Sequence, residues 1–187
     1  MSLKAPEFWN RDSWQSRLLV PAAWLYQLGA KAHQTLSVAR PCPVPLVCIG
    51  NLSVGGAGKT PVCNDLAKAF RLRGYRPIIL SKGFGGSLPG PALIDKNQHS
   101  TAEVGDEPFM LALDHDVMVS KSRSRAMEAL ADLENQFDLV IMDDGLQNPN
   151  ILPDFSIAVI DAHSGFGNTR TLPAGPLREP LKTGLSR

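Results

Sequence analysis

The sequence predicts an α/β fold, a three-layer sandwich around a mostly parallel sheet, preceded by an amphipathic N-terminal helix. Three observations lead there. From residue 45 onward, short apolar runs (PLVCIGN, RPIILS, DVMVS, DLVIMDD, FSIAVID) alternate with stretches of helical spacing, and strand–helix–strand units with short connections build parallel sheets covered on both sides. The runs are apolar almost throughout, the pattern of strands buried on both faces. The first forty residues differ from the rest: they hold all three tryptophans, Trp9, Trp14 and Trp24, with Phe8 and Tyr26, interleaved with Arg11, Arg17 and Lys31.

Taken in order, VPAAWLYQLGAKAHQTL starts a helix at Pro21, where the missing amide hydrogen is harmless because first-turn amides have no intrahelical partner. Trp24, Leu25 and Leu28 share one face of it. Aromatic and basic residues on a short amphipathic helix suit a membrane interface; the pattern alone favours instead a helix packed by that face onto the domain's own sheet. RPCPVP is a stiff connection. PLVCIGN is a buried strand, and PVCNDLAKAFRLRG a helix with Val62, Leu66 and Phe70 on one side, Pro61 at its start and Gly74 just past its end. RPIILS is the next strand, and GGSLPGPALIDKNQHSTAE a long irregular stretch of the kind that serves sites. VGDEPFMLAL reads as a helix with Asp106 as its cap, and RSRAMEALADLENQ as another helix.

At 187 residues the chain suffices for one domain with a full core, and 43% hydrophobic with 20% charged residues is a soluble globular composition. Nineteen basic against eighteen acidic residues leave a net charge of +1, which argues against a nucleic-acid binder. Cys42, Cys48 and Cys63 form no C-x-x-C pair and read as buried thiols of a reducing compartment, ahead of a metal site or a disulfide. No window reaches the ~18 to 20 apolar residues of a spanning helix, and the N-terminus does not read as a cleavable signal. A cytoplasmic protein is expected.

The chemistry starts at SVGGAGKTP, directly after the first strand. A phosphate-binding loop normally carries a glycine five residues before the glycine of its Gly-Lys-Thr, and here that position is Ser53. The remaining positions, Val54, Gly55, Gly56, Ala57 and Gly58, let backbone amides converge on phosphate oxygens at a helix N-terminus. Lys59 would reach the β- and γ-phosphates of ATP, and the Thr60 hydroxyl would ligate Mg²⁺. The fold class is therefore P-loop NTPase-like, with a variant loop. FDLVIMDDG places Asp143 and Asp144 at a strand's C-terminal end, where ligands gather in open α/β sheets; either could hold Mg²⁺, or the two could simply form a turn before Gly145. Asp106 is either a helix cap or a base for an acceptor hydroxyl. Arg123 and Arg125 are either a solvated helix start or a clamp for an anionic substrate.

The set VGGAGKTP, LSKGFGG, VGDEP, DDGLQ and GFGNTRTLPAGPLREPL, in that order from about residue 12 to the end, resembles the tetraacyldisaccharide 4'-kinase family of lipid A biosynthesis. The resemblance implies transfer of the ATP γ-phosphate to the 4'-hydroxyl of a lipid-linked disaccharide at the cytoplasmic face of the bacterial inner membrane. It implies a membrane-docking segment over 1–40 and a nucleotide-binding kinase domain over 41–187. Asp106 matches the family's catalytic base, with Lys59 and Asp144 beside it in catalysis. Glu107, Arg123, Arg125, Gln147, Arg178 and Glu179 match positions that hold the lipid substrate.

Two departures qualify it. Asn148 follows Gln147 where the family has histidine, exchanging an imidazole for a neutral amide; Lys82 and Phe84 stand where it prefers arginine and tyrosine. Family members also continue past this sequence into a second α/β lobe that closes over the nucleotide, so a nucleotide-binding fragment without transferase activity is one alternative. A membrane-associated switch ATPase is another, but such proteins carry lysine before the Gly-Gly of the loop, where this sequence has Val54.

Overall fold

The structure, a computed structural model, describes residues 5–186; the first four residues of the expected docking segment and Arg187 lie outside it. A 3-10 turn at Glu7–Trp9 precedes α1 (Trp14–Leu18), α2 (Val20–Leu36), β1 (Arg40–Pro41), β2 (Leu46–Gly50), α3 (Lys59–Leu72), β3 (Pro77–Ser81), β4 (Ala92–Leu93), α4 (Thr101–Val104), α5 (Asp106–Ala112), β5 (Asp116–Val119), α6 (Arg123–Ala131), β6 (Leu139–Asp143), β7 (Ile151–Leu152), β8 (Phe155–Ala158) and α7 (Leu181–Gly184). The chain divides into two compact units. One comprises the chain up to Val38, Asn51–Gly58 and everything from Ala158 on; the other comprises Ala39–Gly50 and Lys59–Ile157.

The second unit carries a six-stranded sheet in the order β4-β5-β3-β6-β2-β8, with helices on both sides. β5, β3, β6 and β2 are mutually parallel, and β4 adds an antiparallel edge. Every residue of β3 and β6 is buried, as near-continuous apolar runs require. α3 packs on β2, β3 and β6, and α5 on β5. α3 ends as the Gly74 punctuation predicts. The Tyr75 amide donates to the Phe70 carbonyl and the Gly74 amide to that of Arg71, with Gly74 at φ 86° and the Phe70 and Tyr75 rings meeting edge to face at 5.9 Å; this is a Schellman closure with its apolar contact.

Three expectations change here. The stretch from Gly85 to Glu103 is not wholly irregular, because Ala92 and Leu93 pair with Val119 and Met118 and protect the sheet's edge. α6 stops at Ala131, five residues short of the expected span, and continues in turns. Asp106 is not a cap. Gly105, at φ 92°, closes α4 and opens α5, so the cap position belongs to glycine and Asp106 is the first helical residue, with no capping hydrogen bond.

The first unit is organised by the GFGN…LPAGP run. The Asn168 Nδ2 amide donates to Phe8 O at 3.1 Å, Ser16 Oγ at 2.9 Å and Ala174 O at 3.0 Å, while its Oδ1 accepts from the Arg170 amide at 3.1 Å. Ser16 Oγ donates to Ala174 O at 2.8 Å and Trp9 Nε1 to Pro173 O at 3.1 Å. Four of these bonds, the ones that reach Phe8, Trp9 and Ser16, span 152 to 164 residues of sequence and fasten α1 and the turn before it. α2 starts at Val20 with proline in its first turn. Of its residues only Ala23 is buried; Trp24, Leu25 and Leu28 are 65, 71 and 63% exposed. Packing does not cover the aromatic face. The cysteines are free thiols, Cys48 and Cys63 buried and Cys42 only half-buried.

Candidate active site

The loop that follows β2 lies in the first unit up to Gly58. It needs glycine where the backbone turns left-handed: Gly55 has φ 130° and Gly58 φ 78°. Ser53 does not share that requirement. It forms an isolated antiparallel bridge with Leu177; the Val54 amide donates to Pro176 O at 2.8 Å and the Arg178 amide to Leu52 O at 2.8 Å. The position where the usual loop has glycine is here an extended residue pinned to the LPAGPLREP segment, which explains why serine is tolerated. Buried Asn51 supports the loop from within, its Nδ2 donating to Gly55 O at 3.1 Å. A cavity of about 220 Å³ is lined by Ser53, Val54 and Gly55 together with Trp9, Asp161 and Gly165.

The second unit holds the residues that continue the loop. Lys59 opens α3, and its Nζ lies 3.6 Å from Asp144 Oδ1, with only 14% of the lysine side chain exposed. The Thr60 hydroxyl donates to Glu107 Oε2 at 2.9 Å, joining the first turns of α3 and α5. Asp106 is exposed beside it on α5. Asp143 ends β6 in register with Ile49 of β2 and is 7% exposed. Burial pushes its pKa up, Lys59 opposes that, and the carboxylates of Asp144 and Glu107 add to it. The Cys63 thiol lies close to the Asp143 carboxylate, and its own pKa is raised by burial first and by that carboxylate second.

This oxygen set fits a hard divalent cation. Asp143 Oδ1 is buried without a hydrogen-bond partner among the described residues, and clustered carboxylates beside a hydroxyl gain from a 2+ charge. Among the described residues no three His, Cys, Asp or Glu side chains enclose a metal site on their own.

The other expected residues divide. Arg123 is buried, and its Nη2 donates to the Asp143 carbonyl at 3.0 Å. Arg125 is exposed, its backbone amide donating to Ser122 Oγ at 3.4 Å. Gln147 and Arg178 are half-buried and Glu179 is buried, 5% exposed. Asn148 makes a local turn, its Oδ1 accepting from the Asn150 amide at 2.9 Å. Sequence reasoning missed Asn168 and Cys63. The GFGN run pointed to the first without indicating its role, and nothing in the spacing of the cysteines pointed to the second.

Residues 15–187 match the family described as tetraacyldisaccharide-1-P 4'-kinase (LpxK). The chain belongs to this family. A tetraacyldisaccharide 4'-kinase of Methylobacterium sp. (strain 4-46) is 47% identical over 181 residues, 96% of this chain and 54% of that protein; one of Rhodospirillum centenum is 45% identical over 192 residues, 99% and 56%. The crystal structure of LpxK from Aquifex aeolicus in complex with ATP superposes with a TM-score of 0.75 at 33% identity, covering 92% of this chain and 56% of that one. The chain thus spans about half the length of the LpxK-family proteins it matches, and shares with the Aquifex aeolicus structure a P-loop kinase fold.

Proposed function

We propose that this chain provides the ATP-binding half of a kinase that phosphorylates the 4'-hydroxyl of tetraacyldisaccharide 1-phosphate in lipid A biosynthesis. The observation that carries the reading is the approach of Lys59, directly after the glycine loop, to Asp144 at the end of β6, which brings together a cation for the phosphates and a carboxylate for their metal ion. The amides of Ser53–Gly58 receive the phosphates, Lys59 neutralises charge on the transferring group, and Thr60, Asp143 and Asp144 would hold Mg²⁺. Bound there, Mg²⁺ would polarise the phosphoryl oxygens. Asp106, exposed at the start of α5, accepts the proton of the acceptor hydroxyl as its oxygen bonds to the γ-phosphorus and the bond from that phosphorus to the bridging oxygen breaks, releasing ADP. Glu107, Arg125, Gln147, Arg178 and Glu179 serve the acceptor.

The exposed face of α2, joined by Trp14 and Leu18 of α1 at 70 and 71% exposure, lies in the surface of the cytoplasmic leaflet. At 17 residues α2 is about 25 Å long, and no described helix is long and apolar enough to cross a membrane. Interfacial insertion is the mode that aromatic residues and Lys31 on one helix favour.

The test is transfer of labelled γ-phosphate from ATP to tetraacyldisaccharide 1-phosphate in detergent micelles with Mg²⁺, beside Lys59→Ala and Asp106→Ala. Acceptor-dependent labelling lost in both variants supports the reading. ATP binding without labelling would mean a nucleotide-binding fragment that does not transfer phosphate by itself.

A further inference from the structure

The family resemblance gives Arg123 a place among the acceptor ligands, and its geometry gives it another. Arg123 is the first residue of α6 and only 7% exposed. Its Nη2 donates to the Asp143 carbonyl oxygen at 3.0 Å, and its Nη1 is buried with no hydrogen-bond partner among the described residues. Burying a guanidinium with one nitrogen unsatisfied is costly. A clamp for a substrate phosphate would present those nitrogens at an open surface; here both are buried, and Nη2 is engaged by the carbonyl of the last residue of β6.

What lies there is the segment that presents the carboxylates. Asp144 has φ 53°, a left-handed conformation that non-glycine residues hold only when the surroundings over-determine it. The next amide, Gly145 N, donates to Ile49 O at 3.3 Å. The chain is therefore fastened on both sides of Asp144: from α6 by Arg123 on the Asp143 carbonyl, and from β2 by Ile49 on the Gly145 amide. Between these two points Asp144 faces Lys59 at 3.6 Å.

We propose that Arg123 is a positioning residue for the Asp143–Asp144 pair, fixing the turn that aims Asp144 at Lys59, and that it does not bind the acceptor. The inference rests on the metal–nucleotide reading above. Groups that orient metal-binding side chains typically change metal affinity about 10- to 100-fold when removed.

The experiment compares the unsubstituted chain with Arg123→Lys and Arg123→Gln in three measurements: amide hydrogen exchange, ATP affinity by calorimetry with and without Mg²⁺, and binding of tetraacyldisaccharide 1-phosphate in micelles. Exchange should accelerate at Asp144 and Gly145 but not along β3. The gain in ATP affinity on adding Mg²⁺ should shrink about tenfold, with metal-free ATP and acceptor affinities unchanged. Reduced acceptor affinity with exchange and magnesium response intact would overturn the proposal. If Arg123→Gln does not fold, Arg123→Lys, which keeps the charge and loses the forked reach, decides alone. If the unsubstituted chain shows no magnesium-dependent ATP binding, the functional reading fails separately, and exchange alone judges the anchor: acceleration at Asp144 and Gly145 supports it, unchanged protection overturns it.

Discussion

Ile49 and Asp143 are partners in register across the parallel pair β2–β6. That register sets a carboxylate level with the last residues before the glycine loop, and it buries it. Because burial raises the pKa of Asp143 above its ordinary value of 3.8, the folded chain keeps a proton in a pH window where the unfolded chain has lost it. The stability Asp143 contributes is then present below 3.8 and is lost as pH rises through the folded-state value. Asp143→Asn should remove this component, so its stability relative to the unsubstituted chain should climb with pH across that window. Denaturant titrations from about pH 4 to about pH 8 measure it; a difference independent of pH would contradict the burial argument.

Restoring the usual loop glycine should gain nothing. Ser53 is extended and bridged to Leu177, so Ser53→Gly relieves no strain and adds backbone freedom, with an expected loss of about 0.5–1 kcal/mol in stability. ATP affinity, read by calorimetry, should stay within about twofold. A clear rise in affinity would show that serine obstructs phosphate binding.

Gly105 is the single joint between α4 and α5, at φ 92°, and a Cβ there would meet the Phe84 carbonyl oxygen. Gly105→Ala should cost about 1–3 kcal/mol. By shifting the start of α5 it should also lower phosphate transfer, since Asp106 and Glu107 are the next two residues. Thermal unfolding and the transfer assay together check this; a stable variant with full transfer would show that the joint tolerates a side chain.

Asn168 joins Phe8, Ser16, Arg170 and Ala174. Asn168→Ala leaves several buried or half-buried groups unpaired, and a loss of about 1–3 kcal/mol is expected. Hydrogen exchange should show the loosening first in α1, while β3 and β6 keep their protection. Uniform loosening of both units would refute a local role for this residue.

The sheet was legible because buried parallel strands write themselves as continuous apolar runs, and PLVCIGN, RPIILS and DLVIMDD became β2, β3 and β6 with little change of boundary. α3 was legible from Pro61 and Gly74 for the same kind of reason: helix ends impose local demands on backbone conformation and hydrogen bonding. β4 was not, because a two-residue edge strand has no period of its own and exists only where β5 offers it partners. Asp106 was misplaced as a cap because the sequence shows a good capping residue without showing that Gly105 already occupies the junction.

By itself, then, the sequence determined the strand–helix alternation, the glycine loop with Lys59 and Thr60, and the family pattern; each depends on neighbours within a few residues or on a linear motif. Only the tertiary structure decided that Arg123 turns inward to the Asp143 carbonyl, that Cys63 lies beside the Asp143 carboxylate, that Glu107 meets Thr60, and that Asn168 ties α1 to the LPAGP segment. These contacts join residues 20 to 152 positions apart. Whether a polar side chain ends in solvent or against a distant backbone oxygen depends on how the elements pack, and no local period records that.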